Sequence, residues 1–296
     1  MGETLVGPTI IVHGTDEQRA YFLPRIVDGS DRYCQGFSEP GSGSDLASLR
    51  TRGVVDGDEI VVTGQKVWTS VYWDANMVFC LCRTDPDSPR HQGISYVLIP
   101  VRRPDGSANG VEFRRIREIT GEFRFAETFL DEARAPLFNV IGGLNNGWRV
   151  SMTTLGNERG GTATTQHLEH RALFWQLVEE ARRRGKLSDP LVRQKFAWAY
   201  SRVEIMRYSG LRLLSAIVAE SDPGPAASTN KMFWSEYQQE VTTWAIELLG
   251  PDGTLITEPW FTQFLGSRAH TIWGGTAQIQ RSIVAERVLG LPRESK

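Results

Sequence analysis

The feature that most constrains the fold is a change of hydrophobic pattern near residue 140, which divides the chain in two. From Tyr33 to about Ala135 the sequence has short apolar runs rich in β-branched residues, separated by turn-forming stretches. From residue 147 onward, apolar residues recur at helical spacing over long segments. Because strands come before helices instead of alternating with them, the pattern predicts an α+β protein.

The first half is predicted to form a small antiparallel barrel or sandwich. Residues 54–62 read as two strands around an Asp56-Gly57 turn, a strong hairpin signal. Further strands are predicted without intervening helices at regular spacing. These strands cover residues 76–81, 93–101, 110–116 and 125–131.

The second half is predicted to form a bundle of four long helices joined by short loops. Gly185, after three arginines, is expected to end the first helix, and Ser188-Asp189-Pro190 to begin the second. The expected helices are 148–178 with its basic end, 190 to about 220, 230–249 and 276–289.

Charge and composition exclude several classes of function. The 296 residues include 33 Lys and Arg against 35 Asp and Glu, a net charge of −2, so no nucleic-acid partner and no membrane partner is expected. No leader or membrane span is evident, which favours a cytoplasmic location. Cys80 and Cys82 would share one side of a strand, which suits buried thiols in a reducing compartment. The five histidines lack metal-binding spacing, so no metal is assigned.

Two polar, glycine-rich segments flank the hairpin. In the first, residues 35–45, Gly41 and Gly43 let backbone N–H groups turn toward a ligand. In the second, residues 64–70, the indole of Trp68 precedes two hydroxyl side chains. A flat heteroaromatic ring with polar edges needs such a combination, whereas a lone Trp is more often part of a core.

These segments together resemble the acyl-CoA dehydrogenase family, whose flavin site has a TEPGxGSD-like loop followed by GxKxWxT. The matching residues are Ser38-Glu39-Pro40-Gly41-Ser42-Gly43-Ser44-Asp45 and Gly64-Gln65-Lys66-Val67-Trp68-Thr69. The resemblance continues through residues 157–159 and 274–280, so it covers essentially the whole chain. The ending, residues 285–291, looks most like the actinobacterial branch of the family.

The resemblance implies three domains. Residues 1–32, with a capping box at Thr15 and Gln18 and an end or kink at Pro24, would be a remnant of an N-terminal helical domain. Residues 33–146 would be the middle β-barrel domain, and residues 147–296 the C-terminal helical bundle. The missing part of the first domain would reflect a start codon placed too late, a truncated gene, or a partner chain that supplies it.

The resemblance also implies FAD as cofactor and an acyl-CoA thioester as substrate. Ser44 matches the CoA-contacting serine of the family, Arg159 a position near the CoA nucleotide, and Gly274 an amide that polarises the thioester carbonyl. Arg159 is equally compatible with a plain helix surface. The implied flavin contacts are Phe37, Ser38, Gly43, Ser44, Trp68, Thr69, Ser70, Thr276 and Gln278.

The catalytic base is implied to be Glu158. Most family members carry a glutamate where this chain has Gly274, which cannot act as a base. A minority use a glutamate of an E-R pair on the first bundle helix, and Glu158-Arg159 matches that pair. The alternative is a surface carboxylate paired locally with Arg159. A base active near neutral pH would need a raised pKa, which a dry acyl pocket provides.

Two other family motifs are altered. The QxxGGxG-like segment is Glu247–Gly253 with Pro251 inside it, and the Arg-x-x-Phe-Gly loop is replaced by the basic residues 182–189. These elements act across subunit interfaces, so the chain is expected to form a homo- or heterotetramer with a related chain.

The expected activity is α,β-dehydrogenation of acyl-CoA, with electrons passed to an electron-transfer flavoprotein. Small residues around Glu158 suit branched or polycyclic acyl groups such as steroid side chains. Two alternatives stay open: a non-catalytic partner subunit, and an oxygen-using acyl-CoA oxidase or flavin monooxygenase of the same fold.

Overall fold

The computed structural model describes residues 1–219, 226–256 and 259–293, apart from the side chains of residues 158–163 and 226–227. It contains two compact units, Met1–Glu158 and Arg159–Lys296. Their boundary lies inside a helix and differs from the predicted domain limit at 146/147, so the three predicted domains stay a prediction.

The first unit begins with helices. A π-helical turn, Gly2–Val6, leads into α1, Gly7–His13, which is followed by α2, Asp16–Val27. The predicted capping box at Thr15 is confirmed: Thr15 Oγ1 accepts from the Gln18 amide at 3.2 Å, and Gln18 Oε1 accepts from the Thr15 amide at 2.9 Å. The helix does not end at Pro24 but continues to Val27. Phe22 and Ile26 are buried on either side of the proline, and their packing holds the last turn in place.

The rest of this unit is an eight-stranded sheet. Its order is β6-β7-β3-β2-β4-β5-β8, with β1 paired to β4. The strands are β1 Tyr33–Gly36, β2 Arg52–Asp56, β3 Glu59–Ser70, β4 Met77–Arg83, β5 Ile94–Pro100, β6 Val111–Ile116, β7 Phe125–Pro136 and β8 Val140–Ile141.

The sheet is mixed, so the prediction of a purely antiparallel arrangement is wrong in one respect. The hairpin of β2 and β3 is confirmed, with Asp56 paired to Glu59. However, β1 runs parallel to β4, and β2 touches β4 in parallel at Arg52. A parallel pair needs a long crossover connection. Residues 37–76 supply it here, and they contain the second glycine-rich segment and most of the first.

Two apolar clusters lie within this unit. Strands β4 and β5 are buried along almost their whole length and contribute to both clusters. Cys34, Cys80 and Cys82 are free, fully buried and packed in one cluster, as the alternation of Cys80 and Cys82 predicted. Burial raises the pKa of Cys80 to about 11.

The remaining chain is helical, as predicted, but with more helices than the four expected. They are α3 Gly147–Ala163, α4 Gln166–Arg183, α5 Pro190–Val218, α6 Ala226–Leu249, α7 Pro259–His270 and α8 Ala277–Ile283, followed by a π-helical turn, Val284–Val288. Most of α3 belongs to the first unit. Of the predicted loop 221–227, residues 221–225 lie outside the described part of the chain.

The expected single helix 148–178 is wrong, because the helix is interrupted at residues 164–165. Gly156, Gly160 and Gly161 precede the break, and glycine costs about 1 kcal/mol in a helix interior. The predicted start of α5 is confirmed: the Asp189 side chain accepts from the Leu191 amide at 2.8 Å. Helix α7 was not predicted, since it is short and contains Gly266.

Helices α4, α5, α6 and α7 of the second unit share one apolar core. It includes Phe174, Val203, Val241 and Trp260. Aromatic rings add to it, with the Trp198 and Tyr237 rings stacked at 6.1 Å between centroids. Among the described residues, none of the helices combines the length and the apolar character needed to cross a membrane.

Candidate active site

A buried lysine joins the two glycine-rich segments. Lys66, on β3, is fully buried, and its Nζ donates to the carbonyl of Phe37 at 3.1 Å and to Glu39 Oε1 at 2.8 Å. The Val67 amide adds a bond to the carbonyl of Ser38 at 2.9 Å. Residues 37–39 are therefore held against residues 66–67 by one ion pair and two further hydrogen bonds.

The carboxylate of Glu39 is held in its ionised form. Its two oxygens accept from the amides of Arg50 at 2.7 Å and Thr51 at 2.8 Å. Burial would raise the pKa of Glu39, but the charge and hydrogen bond of Lys66 outweigh this, and the nearby Thr51 hydroxyl and Arg50 amide add to the effect. The net result is a pKa below its ordinary value.

Lys66 and Glu39 both lie within the two motifs, but the sequence alone predicted no role for either residue. The available signal was the alternation of β3, because residue 66 has the same parity as the buried Ile60 and Val62. A lysine that points into the core requires an ion-pair or hydrogen-bond partner for its charge.

Trp68 lies on the outer surface, so the alternative that it belongs to the core is wrong. Its side chain is 59% exposed and its ring lies edge-on to Phe125, with 6.0 Å between centroids. Its backbone has φ +63°, and the pairing of β3 with β7 shifts register between Lys66 and Thr69. This bulge turns the indole toward solvent, next to residues 37–39, which Lys66 and Val67 hold against β3.

The two hydroxyl residues after Trp68 differ in burial and in hydrogen bonding. Thr69 is fully buried, and its hydroxyl accepts from that of Thr128 at 2.7 Å, which leaves mainly its backbone for a ligand. Ser70 is half-buried at the end of β3, and its hydroxyl makes no hydrogen bond within the described part of the chain. Ser70 is thus the freer donor of the pair.

The first glycine-rich segment ends in an open turn. The Phe37 side chain packs edge-on to Phe79 and Tyr96 in the core, so only its backbone can face a ligand. A Cβ at Gly43 would meet no atom within 4 Å, and Ser44 is exposed. The hydroxyls of Ser38 and Ser44 have no partner among the residues described. These groups are free to bind polar ligand atoms.

The motif at residues 274–280 lies in the second unit. Gly274 and Gly275 have φ +59° and +87°, and the Gln280 side chain donates to the Gly274 carbonyl at 3.0 Å. The Thr276 hydroxyl caps α8 by accepting from the Ile279 amide at 3.1 Å, and Gln278 is exposed. The motif is therefore a tight turn with no carboxylate at residue 274.

Glu158 and Arg159 lie on α3, but their side chains are outside the described residues. Their roles stay predictions. In the first unit the structure brings together Phe37, Ser38 and Lys66, with Trp68 and Ser70 following on the same strand. Gly274, Thr276 and Gln278 lie together in the second unit.

The two altered segments of the second unit make local contacts. Glu247 forms an ion pair with Lys195 at 2.6 Å, and Pro251 is the second residue of a 3₁₀ turn, Gly250–Thr254. In the basic run, Arg182 and Arg183 pair with glutamates of their own helix, and Arg184 reaches Asp252 at 2.9 Å. The charge of this run is thus largely compensated within the unit.

Comparison with known proteins identifies the family of this chain. The family model described as acyl-CoA dehydrogenase, middle domain, matches residues 34–131, and that of the C-terminal domain matches residues 145–289. Acyl-CoA dehydrogenase IpdE1 of Mycobacterium tuberculosis is 42% identical over 301 residues, covering all of this chain and 76% of that protein. The chain belongs to the acyl-CoA dehydrogenase family. Members of this family are oxidoreductases that act on CH–CH groups.

Solved structures of other acyl-CoA dehydrogenases share the fold. A structure titled Tcur3481-Tcur3483 steroid ACAD has a TM-score of 0.89 at 32% identity, over 98% of this chain and 76% of that chain. The ChsE4-ChsE5 complex from Mycobacterium tuberculosis has a TM-score of 0.86 at 32% identity, over 99% and 77%. The predicted acyl-CoA dehydrogenase fold, a β domain followed by a helical domain, is confirmed.

The described residues of this acyl-CoA dehydrogenase fit a flavin. The exposed Trp68 ring offers a flat apolar surface, and the Ser38 and Ser70 hydroxyls have no partner among the side chains and backbone that the structure describes. The open turn at Gly43 leaves room for close approach. Flat aromatic surface next to free polar donors is what an isoalloxazine ring requires.

Proposed function

We propose that the chain catalyses FAD-dependent α,β-dehydrogenation of an acyl-CoA thioester to the 2-enoyl-CoA, with Glu158 as the base. The observation that carries the proposal is the identity of residue 274. Where most of the family has its catalytic glutamate, this chain has a glycine in a left-handed turn. The E-R pair of α3 is the remaining family position that supplies a carboxylate.

The hydride acceptor for the β-hydrogen would be supplied by bound FAD at its N5 atom. Glu158 takes the α-proton onto a carboxylate oxygen, which requires a pKa raised by a dry acyl pocket. The Gly274 amide donates to the thioester carbonyl and stabilises the charge that develops there. Ser44 and Arg159 bind the CoA portion. The remaining flavin contacts, Phe37, Ser38, Gly43, Trp68, Thr69, Ser70, Thr276 and Gln278, orient the ring and exclude water.

The proposed substrate is a bulky acyl-CoA of steroid type, and the proposed assembly is a heterotetramer with a related chain. Similarity to proteins titled as a steroid ACAD and as a two-chain complex supports both points. An electron-transfer flavoprotein is the proposed electron acceptor.

The test of the base is Glu158→Gln, compared with Glu169→Gln. Glu169 is an exposed glutamate on α4 without a partner among the described side chains, so it controls for the loss of one charge. The expected result is a loss of turnover of at least 100-fold in Glu158→Gln, with FAD content unchanged. Glu169→Gln should keep wild-type turnover. Turnover that survives Glu158→Gln would show that another residue is the base.

A second candidate is a non-catalytic subunit that completes the site of a partner. It is favoured by Pro251, which lacks an amide donor in the altered motif, and by the ion pair of Glu247 with Lys195. Flavin that is reduced by substrate in a preparation of this chain alone would exclude this candidate.

A further inference from the structure

We propose that two buried side chains, those of Lys231 and Gln280, are positioning residues for the backbone amide of Gly274. Both lie in the second unit, Lys231 with 7% of its surface exposed and Gln280 with 0%. The inference rests on the proposed function, because that function assigns the thioester carbonyl of the substrate to the Gly274 amide.

One ammonium group closes the turn that carries Gly274. This turn, residues 271–276, connects α7 to α8. Lys231, on α6, donates from Nζ to the carbonyl of His270 and to the carbonyl of Gly275, each at 2.8 Å. The two acceptors lie on either side of Gly274 in the sequence. Lys231 therefore fixes the backbone both before and after this glycine.

The side chain of Gln280 holds the middle of the turn. Its Nε2 donates to the carbonyl of Gly274 at 3.0 Å and more weakly to that of Gly275 at 3.5 Å. A Cβ at residue 275 would lie 2.5 Å from this nitrogen, so only glycine lets the side chain reach the turn. Gln280 Oε1 makes no hydrogen bond among the described residues. The hydrogen bonds of this side chain are thus made to the turn.

The carbonyl groups of the turn are held on its buried side, whereas its amides stay free. The amides of Gly274, Gly275 and Thr276 donate to no acceptor among the residues described. In a trans peptide the N–H points opposite to the carbonyl of the preceding residue. The anchored carbonyls therefore direct the amides of Gly275 and Thr276 away from the buried side chains, and the Gly274 amide precedes them on the same anchored backbone.

The bonds of Lys231 are the stronger anchors of the turn. A hydrogen bond donated by a charged group is roughly twice as strong as one between neutral groups. An amide stabilises charge on a substrate oxygen efficiently only when its direction is fixed before that charge develops. Removal of Lys231 should therefore slow the reaction by releasing the Gly274 amide from its fixed direction.

Two variants and one control separate this role from a loss of charge or of folding. Lys231→Met removes the ammonium, and Gln280→Met keeps a similar shape and removes the bonds to the turn. Lys195→Met is the matched control, because its partner Glu247 lies at the other end of α6 from Lys231. If Lys231→Met does not fold, Gln280→Met carries the test alone, since it creates no buried unpaired group.

Amide hydrogen exchange tests the positioning in the chain without substrate. The reporters are the amides of Trp273 and Ala277, which donate to the carbonyls of Ala269 at 3.0 Å and Thr271 at 2.8 Å. Their exchange should be about 10-fold faster in the lysine variant and about 3-fold faster in the glutamine variant, because the anchors limit local opening of the turn. The control variant should exchange as the wild type does. Unchanged exchange in both turn variants, or an equal effect in the control, overturns the inference.

Turnover per bound flavin tests the link between the turn and the reaction. With an acyl-CoA ester that the wild type oxidises, kcat per bound flavin should fall about 10-fold in Lys231→Met, whereas KM should change less than about 2-fold. A merely structural role would lower the flavin content but not kcat per bound flavin, so an unchanged value overturns the inference. A wild type without turnover would contradict the proposed function instead, and the exchange rates would still decide whether Lys231 positions the turn.

Discussion

The Nζ atom of Lys66 lies 2.8 Å from Glu39 Oε1, and neither side chain is more than 8% exposed. The pair connects residues 27 positions apart in the sequence. Lys66 also binds the Phe37 carbonyl, and Glu39 also binds the backbone amides of Arg50 and Thr51. The flavin-loop motif and the tryptophan motif of the acyl-CoA dehydrogenase family are thus joined by one buried ion pair. The pair positions Ser38 relative to Trp68 without itself needing to touch a ligand.

Removal of one partner should destabilise the first unit strongly. Lys66→Met leaves the Glu39 charge buried without compensation, which costs about 3–5 kcal/mol. Denaturant unfolding followed by tryptophan fluorescence measures this loss. The double variant Lys66→Met, Glu39→Gln should recover at least half of it, since no buried charge remains. Equal stability of the single and double variants would contradict the coupling of the pair.

Trp68 should matter for flavin binding far more than for folding. Because its side chain is 59% exposed, Trp68→Ala should change the unfolding free energy by less than about 1 kcal/mol. The Kd for FAD, measured by flavin fluorescence, should rise about 10-fold as the ring loses its stacking surface. Trp73→Ala is the matched control, because Trp73 is 62% exposed and lies outside the motif. An equal effect of both substitutions would argue against a specific flavin contact.

The second unit should lose stability in mild acid through His170. This side chain is 5% exposed and lies 5.8 Å from the Trp234 ring and 5.5 Å from the Tyr237 ring. Burial lowers its pKa from 6.5 to about 4. The unfolded chain therefore binds the proton more tightly, so stability is full above pH 6.5 and falls as the pH drops from 6.5 to about 4.

The complete loss of unfolding free energy caused by His170 on acidification is about 3 kcal/mol. The difference in unfolding free energy between pH 7 and pH 4.5 measures it. His170→Gln should flatten this dependence, whereas His91→Gln, at an exposed histidine, should leave it as in the wild type. A steeper acid loss in His170→Gln would contradict the assignment.

The three cysteines should react only after unfolding. All are fully buried, and burial raises the pKa of Cys34 to about 12 and that of Cys80 to about 11. The thiolate is the reactive form, so native protein at pH 8 should react with a thiol reagent at least 100-fold more slowly than denatured protein. Denaturation should expose all 3 thiols. Rapid labelling of one cysteine in the native state would show that the β domain opens locally.

Local patterns in the sequence predicted much of this fold. The hairpin at Asp56-Gly57, the capping box at Thr15 and the start of α5 at Asp189 depend on neighbours within a few residues. The break between α3 and α4 was missed, because the helical patterns on its two sides predict one helix, although residues 156–165 between them contain no large apolar side chain. The parallel pairing of β1 with β4 was missed because the sequence of neither strand specifies its distant partner or the register of the pairing.

The candidate site was predictable in its motifs but not in its contacts. Ser38, Trp68 and Ser70 follow from the resemblance, and the structure leaves their side chains available. The buried position of Thr69 and the partner of Lys66 depend on a bulge and on strand register, which sequence spacing does not reveal.

The measurement that tests the central claim most directly is the visible spectrum of the purified chain under anaerobic conditions, before and after addition of acyl-CoA esters of increasing size. The account predicts a bound-flavin spectrum that bleaches with a bulky, steroid-type ester. It also predicts that Glu158→Gln binds the same flavin but does not bleach. A protein that holds flavin yet bleaches equally well in Glu158→Gln, or one that bleaches with no ester, would contradict the proposed function.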